Sequence, residues 1–202
     1  MKIILLVFLF PIVISIQNDS PSIKGCPKLK LMQNEISLNQ ITGKWFEISK
    51  YSSSFNTGNC IFINLTLSAN QTALFSYSQR FINDSRKSSL ISKLNATILK
   101  TNFWSCTFNS ISVKLEGFIF ILDTDYNNYA VVLGCGSIGK KSVQISTTYG
   151  HSVWILSRTS SLADSFIARI NDTLKQNNLS LALRKTSQTN CDFITTTTDS
   201  IK

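Results

Sequence analysis

Histidine is almost absent from this chain. The single copy, His151, rules out a multi-histidine metal site, and its setting in Tyr149-Gly150-His151-Ser152 is that of a turn residue rather than a catalytic base. No serine or cysteine motif accompanies it, so a nucleophile and base pair has nothing to build on. Charged residues make up only 15%, and acidic ones are the scarcer sign: 20 Lys and Arg stand against 11 Asp and Glu, a formal charge of +9. The cations are scattered, densest at Lys28, Lys30, Arg86, Lys87, Lys140 and Lys141, and no basic block is interleaved with stacking aromatics. Nucleic acid is therefore not implied as a partner, and the charge reads as a solubility feature. No Cys-x-x-Cys pair points to zinc or redox chemistry. Gly134, Gly136 and Gly139 form a bare Gly-x-Gly-x-x-Gly, but Lys140 and Lys141 follow rather than a helix, so it cradles no phosphate. No resident cofactor is expected.

The one long apolar run is at the start. Lys2, the run from Ile3 to Ile14 and then Ser15 have the layout of a secretory signal over residues 1–15, and a spanning helix needs roughly 20 apolar residues. No other stretch is suited to crossing a membrane, so a secreted, extracellular protein without a transmembrane segment is expected. All of Cys26, Cys60, Cys106, Cys135 and Cys191 lie beyond the signal, and an oxidising compartment implies two bridges and one leftover thiol. Spacing alone does not choose the pairing. Glycosylation sequons at Asn18, Asn64, Asn70, Asn83, Asn95, Asn171 and Asn178 agree with an extracellular chain.

Residues 16–40 are polar, broken by Pro21, Gly25 and Pro27, and read as an extended N-terminal arm. A single domain follows over 41–194, and 195–202 form a frayed tail. Gly43-Lys44-Trp45-Phe46-Glu47-Ile48 opens an alternating strand, and the Ser, Asn and Gly of 51–59 mark a loop. Ile61, Ile63, Leu65 and Leu67 alternate with Phe62, Asn64, Thr66 and Ser68, giving one apolar and one mostly polar face. Phe75 and Tyr77 share one face; so do Leu94, Ala96 and Ile98, and Ile111, Val113 and Leu115. Residues 118–122 and 129–133 are apolar throughout, as strands covered on both faces are, with a turn at Asn127-Asn128 between them. Eight or so short strands leave a sandwich or a closed barrel. One helix breaks the pattern: Leu162, Phe166, Ile167, Ile170 and Leu174 form a stripe at helical spacing, with Ser161 and Asp164 as a capping pair.

Gly43-Lys44-Trp45, Thr124-Asp125-Tyr126 and the strand ending in Arg158 occur in an order that resembles the lipocalins, and most of all their apolipoprotein D-like branch. The resemblance runs from about Gly25 to Cys191. It implies an all-β fold: an eight-stranded up-and-down antiparallel β-barrel with one C-terminal α-helix packed outside. It further implies bridges Cys26 to Cys135 and Cys60 to Cys191, with Cys106 left over, and Arg158 lying across Trp45 at the closed end. Gly43, Trp45, Thr124, Asp125, Tyr126 and Arg158 are thus structural. The loop at 51–59 would cover the mouth. Phe46 and Thr42 depart from the residues usual at their places.

If Arg158 points inward, parity turns Leu156 and Trp154 inward as well. With Ile63, Leu65, Phe75, Tyr77, Leu94, Ile98, Val113 and one face of 118–122, assigned here to Phe118 and Phe120, they would line an apolar cup. The resemblance implies that this cup carries a small hydrophobic ligand: a lipid, sterol, retinoid, pheromone-like volatile or tetrapyrrole. The basic balance leans toward an acidic head group. The alternative is a protein-interaction or mediator-scavenging role through the mouth loops or a dimer linked by Cys106. A Cys106 thiol isomerase is a third reading, disfavoured because nothing basic lies near that thiol in sequence, so no enzymatic activity is expected.

Overall fold

The computed structural model describes residues 26–32, 35–52, 58–68, 71–83, 86–109, 113–140, 147–179 and 182–191. The signal segment at 1–15 and the tail at 195–202 lie outside them. Strands β1 (Gly43–Ser52), β2 (Asn59–Ser68), β3 (Thr72–Asn83), β4 (Arg86–Lys100), β5 (Phe103–Asn109), β6 (Val113–Thr124), β7 (Tyr129–Lys140) and β8 (Thr147–Ser157) follow one another. Each pairs antiparallel with the next, and β1 pairs with both β8 and β2. The sheet therefore closes on itself as an eight-stranded up-and-down barrel. Beyond Phe46, β1 parts from β2, and a short β9 (Arg184–Lys185) pairs with Ser49 and Lys50 instead.

Alternation divides the apolar residues into two cores. Trp45, Leu65, Ala96, Ile98, Trp104, Ile121 and Leu156 cluster on the inner face. Phe103, Phe120, Leu122, Tyr129, Leu133 and Ile155 form an outer core with Leu29 of the arm and Ile170 and Leu174 of the helix. The runs at 118–122 and 129–133 are apolar throughout because they contribute to both. Wherever the helix covers the wall, its outward residues are as dry as its inward ones.

The helix differs in detail from its sequence pattern. A 3-10 turn (Asp164–Phe166) precedes α2 (Ile167–Gln176), and the residue before the turn, Ala163, makes no side-chain cap. The expected Ser161 and Asp164 capping pair does not form, and Ile167 is 43% exposed rather than on the buried stripe. A 3-10 turn winds more per residue than an α-helix, so the stripe that starts at Leu162 slips past Ile167. Ile170 and Leu174 keep their places. The helix is pinned by Asp123, a buried carboxylate on β6 that accepts from Arg169 Nε and Nη2, both at 2.9 Å, from Tyr129 Oη at 2.7 Å and from Thr173 Oγ1 at 3.2 Å. At its exit Asn178 takes φ +54°, and Leu179 N donates to the Leu174 carbonyl at 2.9 Å.

The arm is less extended than its composition suggests. It ends in one helical turn, α1 (Leu38–Ile41), and buries Leu29, Ile36 and Ile41. Cys26 is bonded to Cys135 on β7, and Cys60 on β2 to Cys191 after β9. Each bridge ties a terminal segment to the barrel wall across more than 100 residues, as its separation of 109 or 131 shows. In the chain-entropy picture such a loop contributes about 4–5 kcal/mol. Of the sequons, Asn95, Asn171 and Asn178 are exposed and Asn64 is half-buried on β2. Asn18, Asn70 and the side chain of Asn83 lie outside the described residues.

Candidate functional site

The base of the barrel explains why Gly43, Trp45 and Arg158 are needed together. Gly43 enters β1 at φ +89°, a left-handed conformation that other residues adopt only with strain. Trp45 then points inward, and its Nε1 donates to the Ile41 carbonyl at 2.8 Å. The Arg158 guanidinium lies 3.6 Å from the centroid of the indole. It donates to four carbonyls: Gln40 at 2.6 Å, Thr42 at 2.8 Å, Lys44 at 3.0 Å and Tyr126 at 2.9 Å. One planar fork thus joins α1, β1 and the turn after β6.

That turn belongs to the same lock. The Asp125 carboxylate accepts from Asn128 N at 2.8 Å, Asn128 Nδ2 at 2.7 Å and Tyr129 N at 3.0 Å. Thr124 Oγ1 donates to the Tyr129 carbonyl at 2.7 Å and accepts from Tyr126 N at 2.9 Å. The residue at positive φ is Tyr126, at +67°, and not Asn127 or Asn128 as expected from asparagine's tolerance. The Asp125 carboxylate, bonded to the backbone of Asn128 and Tyr129, holds the turn closed around it.

Above the base lies an apolar cavity of about 140 Å3, lined by side chains from every strand but β9. Ile63, Leu65, Phe75, Tyr77, Leu94, Trp154 and Leu156 line it, as parity places them. Ile98 is buried in the same inner cluster without reaching the cavity. Phe118 and Phe120 do not line it. They face outward, with Phe103 stacked on both at 5.2 and 4.8 Å between centroids, and Ile119 and Ile121 take the inner places. An apolar run has no polar face to fix its parity, and here the bulky aromatic face turned toward the outer core. The side chain of Val113, at the mouth end of β6, is outside the described residues, as are most of the mouth connections, including 53–57.

Trp104, Ile41, Ala130 and Val132 complete the wall and are not singled out by the sequence patterns above. Trp104 lies opposite Ile98 and shares its inward face with Cys106, a placement that only the strand register reveals. Trp154 is seated by a glycine. A Cβ added at Gly134 would stand 2.8 Å from Trp154 Cζ3 and 2.9 Å from Cη2, so the indole lies directly on the bare backbone.

Polar groups gather further along the inner face of β1. Glu47 shares the inward parity of Trp45, a bulge between Glu47 and Ser49 brings Lys50 onto the same face, and their side chains pair at 2.9 Å, 0% and 2% exposed. Thr186 Oγ1 donates to the same carboxylate at 2.6 Å. Burial lowers the Lys50 pKa, with Glu47 pulling the other way, and burial raises that of the Tyr77 phenol, with Glu47 adding to the rise.

Cys106 is 2% exposed inside the barrel, and burial pushes its thiol up to about 12. A thiol so placed is protonated at neutral pH and cannot reach a partner chain unless the barrel opens, which speaks against both the linked dimer and the isomerase. His151 stacks on Tyr51 at 5.6 Å between centroids. Among the described residues no group of His, Cys, Asp and Glu converges to hold a metal ion, and no helix is long and apolar enough to cross a membrane.

No family model matches the chain. Its sequence is nevertheless similar to apolipoprotein D of Cavia porcellus, 27% identical over 202 residues, covering 96% of this chain and 99% of that protein. Apolipoprotein D of Bos taurus is 29% identical over 173 residues, covering 82% and 84%. The Lazarillo protein of Schistocerca americana is 26% identical over 187 residues, covering 88% and 80%. Among solved structures, insecticyanin from the tobacco hornworm Manduca sexta superposes with a TM-score of 0.59 at 20% identity, covering 85% of this chain and 89% of that one. The cockroach allergen Per a 4 gives 0.59 at 21% identity, covering 81% and 94%. These two share the fold, and the curated relatives share the sequence along nearly its whole length. The chain has the lipocalin fold, and its sequence is similar along most of its length to apolipoprotein D.

Proposed function

We propose that this protein is a secreted carrier that holds one small hydrophobic molecule inside its barrel. The observation that supports it best is the convergence of all 3 tryptophans of the chain, Trp45, Trp104 and Trp154, on the wall of one apolar cavity. Ile63, Leu65, Phe75, Tyr77, Leu94 and Leu156 serve with them as the binding surface. Affinity comes from apolar burial, at about 25 cal/mol per Å2. A cavity of 140 Å3 is close to the ~150 Å3 that holds benzene in an engineered core, so a ring or short chain fits better than a sterol or tetrapyrrole. Secretion rests on the signal layout at 1–15 and on the two disulfides. Cleavage there would leave an arm at 16–40, the barrel and helix at 41–194 and a tail at 195–202, with glycans at the exposed sequons.

Native mass spectrometry of the protein from its own source tests the reading. A single stoichiometric adduct of small apolar mass is expected, and it should quench or shift the tryptophan emission on rebinding. A protein whose emission ignores every small apolar compound offered to it would refute the carrier role.

A further inference from the structure

The inner face carries more unmet hydrogen bonding than a filled core tolerates. Glu47 Oε2, Tyr77 Oη, Gln79 Oε1 and Trp154 Nε1 are buried and have no hydrogen-bond partner among the described residues, and Lys50 Nζ has only its ion pair there. Glu47, Lys50 and Gln79 are 0%, 2% and 3% exposed. These groups belong together. Tyr77 and Gln79 share the inward face of β3 with Phe75, Lys50 lies opposite Trp154 in the β1–β8 register, and the charge of Glu47 is felt at the Tyr77 phenol. Tyr77 and Trp154 also line the apolar cavity, so the collar adjoins it through these two, with Glu47, Lys50 and Gln79 beyond its lining. A buried donor or acceptor without a partner is costly, and several around one cavity are what a ligand's polar end would satisfy.

Resting on the carrier reading, we propose that Glu47, Lys50, Tyr77, Gln79 and Trp154 seat the ligand's head group. That head is an uncharged group that both donates and accepts hydrogen bonds, as an alcohol does. The collar offers free donors at Tyr77, Trp154 and Lys50 and free acceptors at Glu47 and Gln79, a set that a hydroxyl answers in both senses. Its own charges already balance. A carboxylate would face Glu47, and an ammonium would face Lys50, each without a new counter-charge in a dry site. Arg184 on β9 acts on Lys50 and Tyr77 too, but its side chain is exposed and donates to the Gly58 carbonyl at 3.3 Å, so water screens it. The net positive charge of the chain therefore does not select an acidic head, contrary to the lean of its composition.

The experiment uses the disulfide-intact protein and four compounds on one ring: benzyl alcohol, benzoate, benzylammonium and toluene. Tryptophan emission reads each titration. Benzyl alcohol should bind about 3- to 10-fold tighter than toluene, the worth of a net hydrogen bond, and both ions should bind more weakly than toluene. Tyr77→Phe should bring the ratio of alcohol to toluene affinity close to one, and Gln79→Met should lower it independently. Equal binding of toluene and benzyl alcohol by the wild type, or an undiminished ratio in both variants, overturns the collar and leaves the carrier role standing. Tightest binding by benzoate overturns the choice of an uncharged head. Failure of all four compounds to bind overturns the collar and the carrier role together.

Discussion

Replacing Gly134 by alanine should move Trp154 into the cavity. The added Cβ would stand 2.8 Å from Cζ3 and 2.9 Å from Cη2 of the indole, whereas carbon atoms pack best at about 3.5–4.0 Å. The ring must therefore retreat by roughly 0.7–1 Å. The indole lines the cavity of 140 Å3, so it has space to retreat into without displacing another side chain. The stability cost should be at the low end for overpacking, about 1 kcal/mol, because the strain is relieved by an existing space. Ligand affinity should suffer more: a ring displaced into a cavity this small competes with the ligand for volume, and a loss of about 10-fold corresponds to ~1.4 kcal/mol. Denaturant midpoints at constant slope measure the first quantity and fluorescence titration the second. In a Trp154→Ala background the same glycine replacement should cost less than about 0.5 kcal/mol, since its collision partner is gone. Unchanged ligand affinity and unchanged emission in Gly134→Ala would refute the seating of Trp154 on Gly134.

Three further outcomes are expected. Arg158→Ala removes the cation from Trp45 and leaves four carbonyls at the base without their donor, so it should cost about 2–4 kcal/mol in chemical denaturation, and Arg158→Lys should recover only part of this because an ammonium cannot span the fork. Burial alone would raise the Asp123 pKa, but its bonds from Arg169, Tyr129 and Thr173 outweigh it and the net shift is downward. The stability this carboxylate contributes is thus complete above the ordinary aspartate value near 3.9 and is lost as pH falls through the lower folded value; a stability profile from pH 7 to 2 should be flatter below pH ~4 in Asp123→Asn. Cys106 should resist a thiol reagent in the native protein and react once the chain is unfolded under non-reducing conditions, whereas fast labelling of the folded protein, or a covalent dimer on a non-reducing gel, would contradict its burial.

The placement of the inner wall shows how far alternation carries. On β2 and β4 alternation is clear, so Ile63, Leu65 and Leu94 were legible as inward, Leu156 followed from the parity of Arg158 on a β8 apolar on both faces, and Asn95 and Thr97 are exposed as the pattern requires. Residues 118–122 carry no such contrast, and their parity was chosen by the aromatic stack of Phe103, Phe118 and Phe120 on the outside. The polar collar was illegible for another reason. Glu47 shares the parity of Trp45, but plain alternation would put Lys50 on the outer face, and only the bulge after Glu47 turns it into the barrel. The resemblance of motifs supplied the disulfide pairing, which spacing left open.

The sequence by itself determined the class of structure: alternation of period two along most of the chain, one stripe of period 3.6 after the eighth strand, and a glycine that admits the backbone entering β1. These are local properties, written in the order of apolar and polar side chains, and they hold whatever the strands pair with. Which face of an apolar run meets the cavity, where a strand bulges, how much room is left above Trp45 and which polar groups stay unpartnered were decided only by closure of the barrel. Each depends on contacts between residues far apart in sequence, and neither periodicity nor composition records how such side chains share a fixed interior volume.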